Sequence, residues 1–231
     1  MSISTLQLPK KMSLASRYSS QPAAQLLQTR GVVLVISFDS ECGPGDDPRH
    51  FQSALPSLDQ PGMNEVWYTS STIESGVDGN CHWSQSEEML FVGLWLDEMP
   101  AEIQQQAVSS AYTELLGFAL SRGYSEMVRS WNYLPDINAG EGDKEQYRQF
   151  CLGRQTALNQ LGFSNDSYPA ACALGHRSGR AMIYLLAGKQ PVTCLENPRQ
   201  ISAYHYPRRY GPARPSIARA SLAHWSTGDQ F

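Results

Sequence analysis

The chain has 231 residues, of which 41% are hydrophobic and 10% aromatic, so it can fill a core and wholesale disorder is excluded. Its 18 Lys and Arg against 22 Asp and Glu give a formal net charge of −4, which argues against a general nucleic-acid-binding surface. The strongest apolar run, residues 31–38, is far shorter than the about 20 residues that cross a bilayer, and no secretory signal is visible, so we expect no nucleic-acid and no membrane partner.

In chain order, the first predicted element is a polar arm over residues 1–29, rich in Ser and Gln. The β-branched run GVVLVISF at residues 31–38 predicts a buried strand. Residues 42–62 are rich in Pro and Gly without periodicity, which predicts a long loop. Two short strands, Asn64–Ser70 and Glu88–Leu96, are expected next, with a turn at residues 77–80 between them.

Two helices follow. The first is bounded by Pro100 and Gly123, and its apolar stripe is Ile103, Ala107, Ala111, Leu115 and Phe118. The second begins in the acidic stretch 141–143, which suits a positive helix start, and ends at Gly162. Its stripe is Tyr147, Cys151, Arg154, Leu158 and Leu161. Because Arg154 lies on an otherwise apolar stripe, we expect it to form a structural ion pair.

Further strands are predicted over residues 126–134, 181–187 and 201–206. Strands, helix, strand, helix and strands in this order favour an α+β fold, with helices packed on one face of a mixed β-sheet.

Neither disulfides nor a metal site are expected. The cysteines are odd in number and lack CxxC spacing, which favours free thiols in the cytoplasm: Cys42, Cys81, Cys151, Cys172 and Cys194. The histidines lack metal-ligand spacing: His50, His82, His176, His205 and His224.

The chemically most suggestive segment is residues 204–219, YHYPRRYGPARPSIAR, in which arginines, tyrosines and prolines interleave. A guanidinium is a planar fork that suits a carboxylate in two-point contact, and tyrosine can stack on a ring. The composition therefore suits an anionic, ring-bearing small molecule. A basic inter-domain linker, or arginines paired with acidic neighbours, is the alternative. In residues 130–143 the glycines fit no nucleotide-binding pattern, and local turn and capping chemistry is favoured there.

Three separated blocks, WNYLPDIN, GEGDKEQYRQFCLGR and SAYHYPRRYGPARPSIARA, resemble the hallmark stretches of the chorismatase family over about residues 30–231. The resemblance implies YjgF/Rid-like, chorismate mutase-like domains, each a mixed sheet with two helices on one face. It implies cleavage of the enol ether of chorismate, releasing pyruvate and a dihydroxycyclohexadiene carboxylate or 3- or 4-hydroxybenzoate, without metal or organic cofactor. The substrate-binding residues expected on this basis are Tyr204, Arg208, Tyr210, Arg214, Ser216 and Arg219.

The resemblance also predicts the domain organisation: an N-terminal domain over residues 30–205, and the start of a second, catalytic domain over residues 206–231. In the family, the acid that protonates the enol ether resembles a glutamate near the end of the second domain. We therefore name no catalytic residue here and expect the chain alone to be inactive. Three explanations for its length stay open: a shortened version of the enzyme, a frameshifted product, or a natural remnant that uses the first domain alone. The alternative function is a non-catalytic Rid-like module that binds a small anion or serves assembly, and self-association stays open.

Overall fold

The computed structural model describes residues 14–58, 61–97, 101–163, 167–177 and 179–225. Within them the strands are β1 Ala15–Ser19, β2 Val32–Phe38, β3 Cys42–Pro44, β4 His50–Ser53, β5 Met63–Tyr68, β6 Glu74–Asp78, β7 Cys81–Gln85, β8 Met89–Leu96, β9 Glu126–Pro135, β10 Ala170–His176, β11 Ala181–Gly188, β12 Val192–Leu195 and β13 Ala220–Ala223. The α-helices are α1 Ala23–Leu26, α2 Ala101–Ser121 and α3 Gln146–Gln160. Short 3-10 turns lie at Gly142–Lys144, Ala203–His205 and Arg208–Tyr210.

The strands form two larger sheets and one small one. The six-stranded sheet has the order β10-β9-β11-β8-β7-β6, the five-stranded sheet β1-β5-β2-β4-β3, and β12 pairs with β13. Both larger sheets are mixed, because β10 runs parallel to β9 and β2 runs parallel to β4, whereas the other pairs are antiparallel. The predicted α+β class with a mixed sheet is confirmed.

The six-stranded sheet is covered on both faces, as alternation along β11 shows. Ile183 and Leu185 join the core that α2 and α3 form on one face. Tyr184 and Leu186 point to the other face, into the core shared with the five-stranded sheet. Burial on both faces explains why β11 is apolar throughout rather than alternating. The two helices therefore pack on one face of the sheet, as predicted.

A second layer on the opposite face was not predicted. The five-stranded sheet packs there through Phe51, which meets Tyr184 edge-on, and through Trp67, which meets Trp131 edge-on. Gly93 on β8 lets the layers approach, because a Cβ at this position would lie 2.6 Å from Cε2 of Phe51. The two sheets share a core of aromatic and aliphatic side chains.

Three local predictions were wrong. Residues 42–62 are not a continuous loop, since they contain β3 and β4. The described part of the polar arm forms β1, which pairs with β5, and α1. These elements are short and gain stability from tertiary pairing, so local periodicity does not reveal them. Residues 201–206 form a 3-10 turn, with backbone hydrogen bonds from His205 to Ser202 and from Tyr206 to Ala203, instead of a strand. The strands β6, β7 and β10 were also missed.

The first long helix lies where it was predicted. The second begins at Gln146, after the 3-10 turn Gly142–Lys144, rather than in the acidic stretch 141–143, so the prediction of its start was wrong. Gly123 has a φ of +82° just after α2, which is the left-handed conformation that favours glycine at a helix end. Pro100 and the side chain of Ile103 lie outside the described residues. In the described part of the chain, no helix has both the length and the apolar character needed to span a membrane.

The last described residues pack onto the same cores. Ala213 is buried in the core beneath α2 and α3, and Trp225 is buried in the core between the sheets. The strand β13 pairs with β12. The domain boundary near residue 205 stays a prediction.

Candidate functional site

Residues 203–219, here called the arginine segment, cross the helix-bearing side of the six-stranded sheet. Ala203 and Ala213 are buried and anchor the segment. Gly211 packs against α3, since a Cβ there would lie 3.3 Å from Cγ of Arg148. The anchored alanines leave the arginines between them on the surface.

Arg208 is engaged by a carboxylate within the chain. Its Nη1 and Nη2 donate to the two carboxylate oxygens of Asp143 at 3.0 and 2.6 Å. Arg148 lies 3.7 Å from the same carboxylate and 3.0 Å from that of Glu145. The hydrogen bonds from Arg208 lower the pKa of Asp143. Arg208 thus makes the two-point contact with a carboxylate that was expected of it. The carboxylate is that of Asp143 rather than that of a ligand.

Arg219 and three neighbours form a second group on the surface. Nη2 of Arg219 donates to the hydroxyl of Tyr206 at 3.1 Å, and the rings of Tyr206 and Tyr210 lie 5.5 Å apart. The guanidinium of Arg209 lies 5.0 Å from the centre of the Tyr210 ring. Tyr210 is 51% exposed, so one of its surfaces is available to a ligand.

Arg214 and Tyr204 are joined through the backbone. Nη1 of the exposed Arg214 donates to the carbonyl oxygen of Tyr204 at 3.3 Å. The Tyr204 ring packs against Tyr168 and against the helix-side core. Tyr204 therefore anchors the segment, while most of the guanidinium of Arg214 faces solvent.

Ser216 lies apart from the other predicted residues, because it is 3% exposed and faces the protein interior. Its carbonyl oxygen accepts a hydrogen bond from Nη1 of Arg154. The predicted set is therefore divided: Arg208, Tyr210, Arg214 and Arg219 are on the surface, whereas Ser216 belongs to a buried site beside α3.

Arg154 does not form the ion pair that we expected. It is 2% exposed, and none of the ion pairs among the described residues involves it. Besides the carbonyl of Ser216, its acceptors are the hydroxyl of Tyr112 at 3.0 Å and that of Ser130 at 3.4 Å. The segment that passes over α3 supplies a backbone carbonyl where the stripe pattern suggested a carboxylate, and sequence spacing does not reveal such a partner.

The hydrogen-bond network continues across the sheet through neutral groups. Tyr112 donates to Oδ1 of Asn132 at 2.6 Å, and Nδ2 of Asn132 donates to the carbonyl oxygen of Cys172 at 2.7 Å. The sequence analysis placed Ser130 and Asn132 in the predicted strand 126–134 but gave neither a hydrogen-bonding role, and it did not single out Tyr112. These residues could have been found from the sequence, because each places a polar group at a core position of a helix or strand. A buried polar group of this kind needs a hydrogen-bond partner.

A small cavity adjoins this network, between α3, β10 and the arginine segment. Its volume is about 30 Å³, and it is lined by Asn132, Tyr147, Phe150, Cys151, Arg154, Ala171, Cys172, Ala173, Pro215, Ser216 and Ile217. Burial raises the pKa of the Cys151 thiol to about 11, and burial also raises the pKa of Tyr147. Both groups are therefore protonated and uncharged at neutral pH. The guanidinium of Arg154 gives the cavity wall a positive charge.

A carboxyl group with a raised pKa lies on the other face of the six-stranded sheet. Burial raises the pKa of Glu65 on β5, against the lowering effect of Arg129. Side chains two residues apart on a strand share a face, so Glu65 points with Trp67 into the core between the sheets. The sheet thus separates Glu65 from Arg154, and the two cannot act on the same small ligand.

In the described part of the chain, no three His, Cys, Asp or Glu side chains gather in an arrangement that could hold a metal ion.

Comparison with known proteins identifies the family. Residues 65–187 match the family model "Chorismatase FkbO/Hyg5-like, N-terminal". A 3-hydroxybenzoate synthase of Streptomyces hygroscopicus is 37% identical over 159 residues, which are 68% of this chain and 46% of the relative. A chorismatase of Streptomyces hygroscopicus is 34% identical over 165 residues, which are 71% of this chain and 47% of the relative.

The structure agrees with this match. A crystal structure of a chorismatase superposes with a TM-score of 0.83 at 27% sequence identity, over 96% of this chain and 68% of the other. The chain spans about half the length of the curated relatives that it matches. The matched residues run from β5 to β11 and include both long helices. The chain belongs to the chorismatase FkbO/Hyg5-like family.

Proposed function

We propose that this chain is part of a chorismate-cleaving enzyme. The intact enzyme would cleave the enol ether of chorismate and release pyruvate together with a dihydroxycyclohexadiene carboxylate or a hydroxybenzoate. The observation that carries the proposal is the match of residues 65–187 to the chorismatase family model, together with relatives named chorismatase and 3-hydroxybenzoate synthase. Residues 30–205 would form its N-terminal domain, and residues 206–231 would begin a second one.

The arginine segment is the proposed binding surface for this dianionic substrate. The guanidinium of Arg214 makes one long hydrogen bond and faces solvent, which supports a role in carboxylate binding. Arg208 can serve in the same way once its contacts with Asp143 are exchanged for substrate contacts. Tyr210 offers an exposed ring, and Arg219 is exposed as well. Tyr204 and Ser216 complete the proposed set, but Tyr204 packs against the core and Ser216 is buried, so neither lies on the exposed part of the surface.

The reaction needs an acid that protonates the methylene carbon of the enol ether, with water or the ring hydroxyl capturing the resulting cation. No metal or organic cofactor is part of the proposal, because a positioned carboxylic acid supplies this chemistry. We assign no described residue as that acid. Glu65 has the raised pKa that the role requires, but it points to the opposite face of the sheet from the arginine segment.

A small-molecule substrate is the proposed partner, and the cytoplasm is the proposed location. Five free cysteines support a reducing compartment, since such thiols persist there without forming disulfides.

The test is binding of chorismate to the purified chain, followed by thermal unfolding and by an assay of released pyruvate. We expect chorismate to raise the melting temperature, because a ligand that prefers the native state stabilises it. 3-Hydroxybenzoate carries one carboxylate and is the matched control, for which we expect a smaller shift. We expect no pyruvate at an enzyme-like rate from the chain alone. Equal melting temperatures with and without chorismate would contradict the proposed site.

A further inference from the structure

Another cavity opens at the edge of the six-stranded sheet where β8 and β9 end and β11 begins. Its volume is about 210 Å³, and its walls come from these strands, from α2, from the first residue of α3 and from the loop before β11. At about 30 Å³ for each water in the liquid, it has room for roughly seven water-sized groups. It shares no lining residue with the cavity beside Arg154, so it is a separate site.

The most deeply buried polar group of this cavity is the amide of Gln104 on α2. Gln104 is 7% exposed, and its Nε2 donates to Oε1 of Gln146 at 2.8 Å. Oε1 of Gln104 receives no hydrogen bond from the described residues. A buried carbonyl oxygen without a donor is costly. The cavity therefore offers an acceptor position to an N–H group of an occupant.

Two charges of opposite sign line the same cavity without a partner of their own. Asp97 is paired with Arg180, which lies 2.8 Å away. None of the ion pairs among the described residues involves Asp136 or Arg177, although both line the cavity. One carboxylate and one guanidinium are thus left to meet an occupant.

The neighbouring histidine does not neutralise Asp136. Burial lowers the pKa of His176, although a backbone hydrogen bond with Tyr133 and the negative charge of Asp136 act in the opposite direction. His176 is therefore uncharged at neutral pH. Asp136 also has a φ of +43°, a left-handed conformation that is uncommon outside glycine and that concentrates at binding sites.

The rest of the cavity wall includes apolar side chains. Val108 on α2 and Leu134 on β9 are buried in the helix-side core and line the cavity as well. An apolar wall beside one negative and one positive group suits a molecule that carries both charges and a small hydrocarbon part. Such a molecule has no net charge, which matches the sum of the two unpaired lining charges.

We propose that this cavity binds an α-amino acid with a short aliphatic side chain. Its ammonium group would donate to Asp136 and to Oε1 of Gln104, and its carboxylate would accept from Arg177. The side chain would pack against Val108 and Leu134. The site goes beyond the proposed function, because it uses residues of this chain alone and does not depend on chorismate cleavage.

Isothermal titration calorimetry of the intact chain with L-valine provides the first test. Isovalerate, which lacks the ammonium group, and isobutylamine, which lacks the carboxylate, are the matched controls. L-Valine should bind saturably, and each control should bind about tenfold more weakly, because each loses hydrogen bonds to a charged group. Absence of saturable valine binding, or equal affinity for all three compounds, would overturn the proposal.

Two substitutions at exposed residues assign the ends of the ligand. Arg177→Gln should lower the affinity for L-valine to that for isobutylamine and leave the affinity for isobutylamine itself unchanged. Asp136→Asn should lower the affinity for L-valine to that for isovalerate, while asparagine retains the left-handed backbone. Arg199→Gln removes an exposed guanidinium outside the cavity and should retain the wild-type affinity. An affinity for L-valine that survives Arg177→Gln or Asp136→Asn would overturn the proposal.

Crystals grown with L-valine provide a second measurement, which needs no variant. They should show the ammonium group within hydrogen-bond distance of Oε1 of Gln104. A cavity that holds water alone, with L-valine bound elsewhere or not at all, would refute the site. Neither measurement involves chorismate, so failure here leaves the proposed function untouched, and failure to bind chorismate leaves this site untouched.

Discussion

Arg208 and Asp143 are joined by two parallel hydrogen bonds, although they lie 65 residues apart in the chain. The contact ties the arginine segment to the 3-10 turn just before α3. While this contact is in place, the Nη1–Nη2 edge of Arg208 is occupied. A ligand carboxylate that uses this edge must therefore displace Asp143.

This competition predicts the behaviour of Asp143→Asn. The substitution removes the competing negative charge, so chorismate should bind a few-fold more tightly to the variant than to the wild-type chain, as measured by isothermal titration calorimetry. The double variant Asp143→Asn/Arg208→Gln should lose this gain, because the released guanidinium is then absent. Equal affinities of the wild-type and Asp143→Asn chains would show that the substrate does not compete with Asp143 for this edge of Arg208.

A second prediction concerns Arg214, which offers a largely unoccupied guanidinium. Arg214→Lys keeps the positive charge but replaces the planar fork by an ammonium group, which cannot reproduce two-point contact with a carboxylate. We expect chorismate to bind more weakly to this variant and to raise its melting temperature less. Arg199→Lys makes the same exchange at an exposed arginine outside the proposed set and is the matched control. Affinity unchanged by Arg214→Lys would remove this residue from the proposed site.

A third prediction concerns the contact between the two long helices. Gly153 on α3 lies against α2, since a Cβ there would be 2.4 Å from the carbonyl oxygen of Gln105 and 3.0 Å from Cβ of Val108. Gly153→Ala should therefore lower the free energy of unfolding by about 1–3 kcal/mol through overpacking. Gly117→Ala on α2 is the matched control, because a Cβ at this position would meet no neighbouring atom within 4 Å. It should raise stability by about 0.5–1 kcal/mol through helix propensity. Urea unfolding followed by circular dichroism measures both, and a neutral Gly153→Ala would mean that the helices can separate at little cost.

The parts of the fold that sequence reasoning predicted are those that local pattern specifies. Val32–Phe38 is apolar except at Ser37, and α2 and α3 carry apolar residues every three or four positions, so each element is recognisable alone. The strands β4 and β10 are short or partly polar, and they depend on neighbours that are distant in sequence. The five-stranded layer was missed because three of its strands, β1, β3 and β4, are short.

The candidate site shows the same division between local and distant information. The composition of the arginine segment was enough to select its exposed cations. The partner of Arg208 could not be predicted, because the contact with Asp143 depends on how the segment folds back over α3. The environment of Arg154 depends on β9 and on Ser216 as well as on its own helix. An apolar stripe interrupted by one arginine signals a buried cation, but it does not reveal the partner.

A fourth prediction concerns thiol reactivity. Burial raises the pKa of Cys81 to about 12 and those of Cys42 and Cys151 to about 11, and it also raises those of Cys172 and Cys194. Since the thiolate is the reactive form, all five thiols should react slowly with Ellman's reagent at pH 8 in the native protein. In guanidinium chloride all five should react rapidly. A thiol that reacts at the rate of free cysteine in the native state would show that its burial is incomplete.

The last prediction concerns His50, which is held on the five-stranded sheet by Ser37. Nε2 of His50 lies 2.7 Å from the hydroxyl of Ser37, which itself donates to Oδ1 of Asn64 at 2.6 Å, so Nε2–H is the donor to Ser37. Protonation would place the second proton on Nδ1, which packs against Gly45. Burial lowers the pKa of His50, although the negative charges of Asp39, Asp47 and Asp46 act in the opposite direction.

Because the pKa of His50 in the folded state lies below the value of about 6.5 in the unfolded chain, the unfolded chain binds more protons between these two values. The free energy of unfolding should therefore fall as the pH is lowered through this window, and the contribution of His50 is complete above it. His50→Gln keeps an N–H donor for Ser37 but does not titrate, so its melting temperature should fall less between pH 7.5 and pH 5.5. His82 and His176, whose pKa values burial also lowers, remain in both proteins and form a common baseline. Parallel curves for the two proteins would mean that His50 is solvated well enough to be protonated in the folded state.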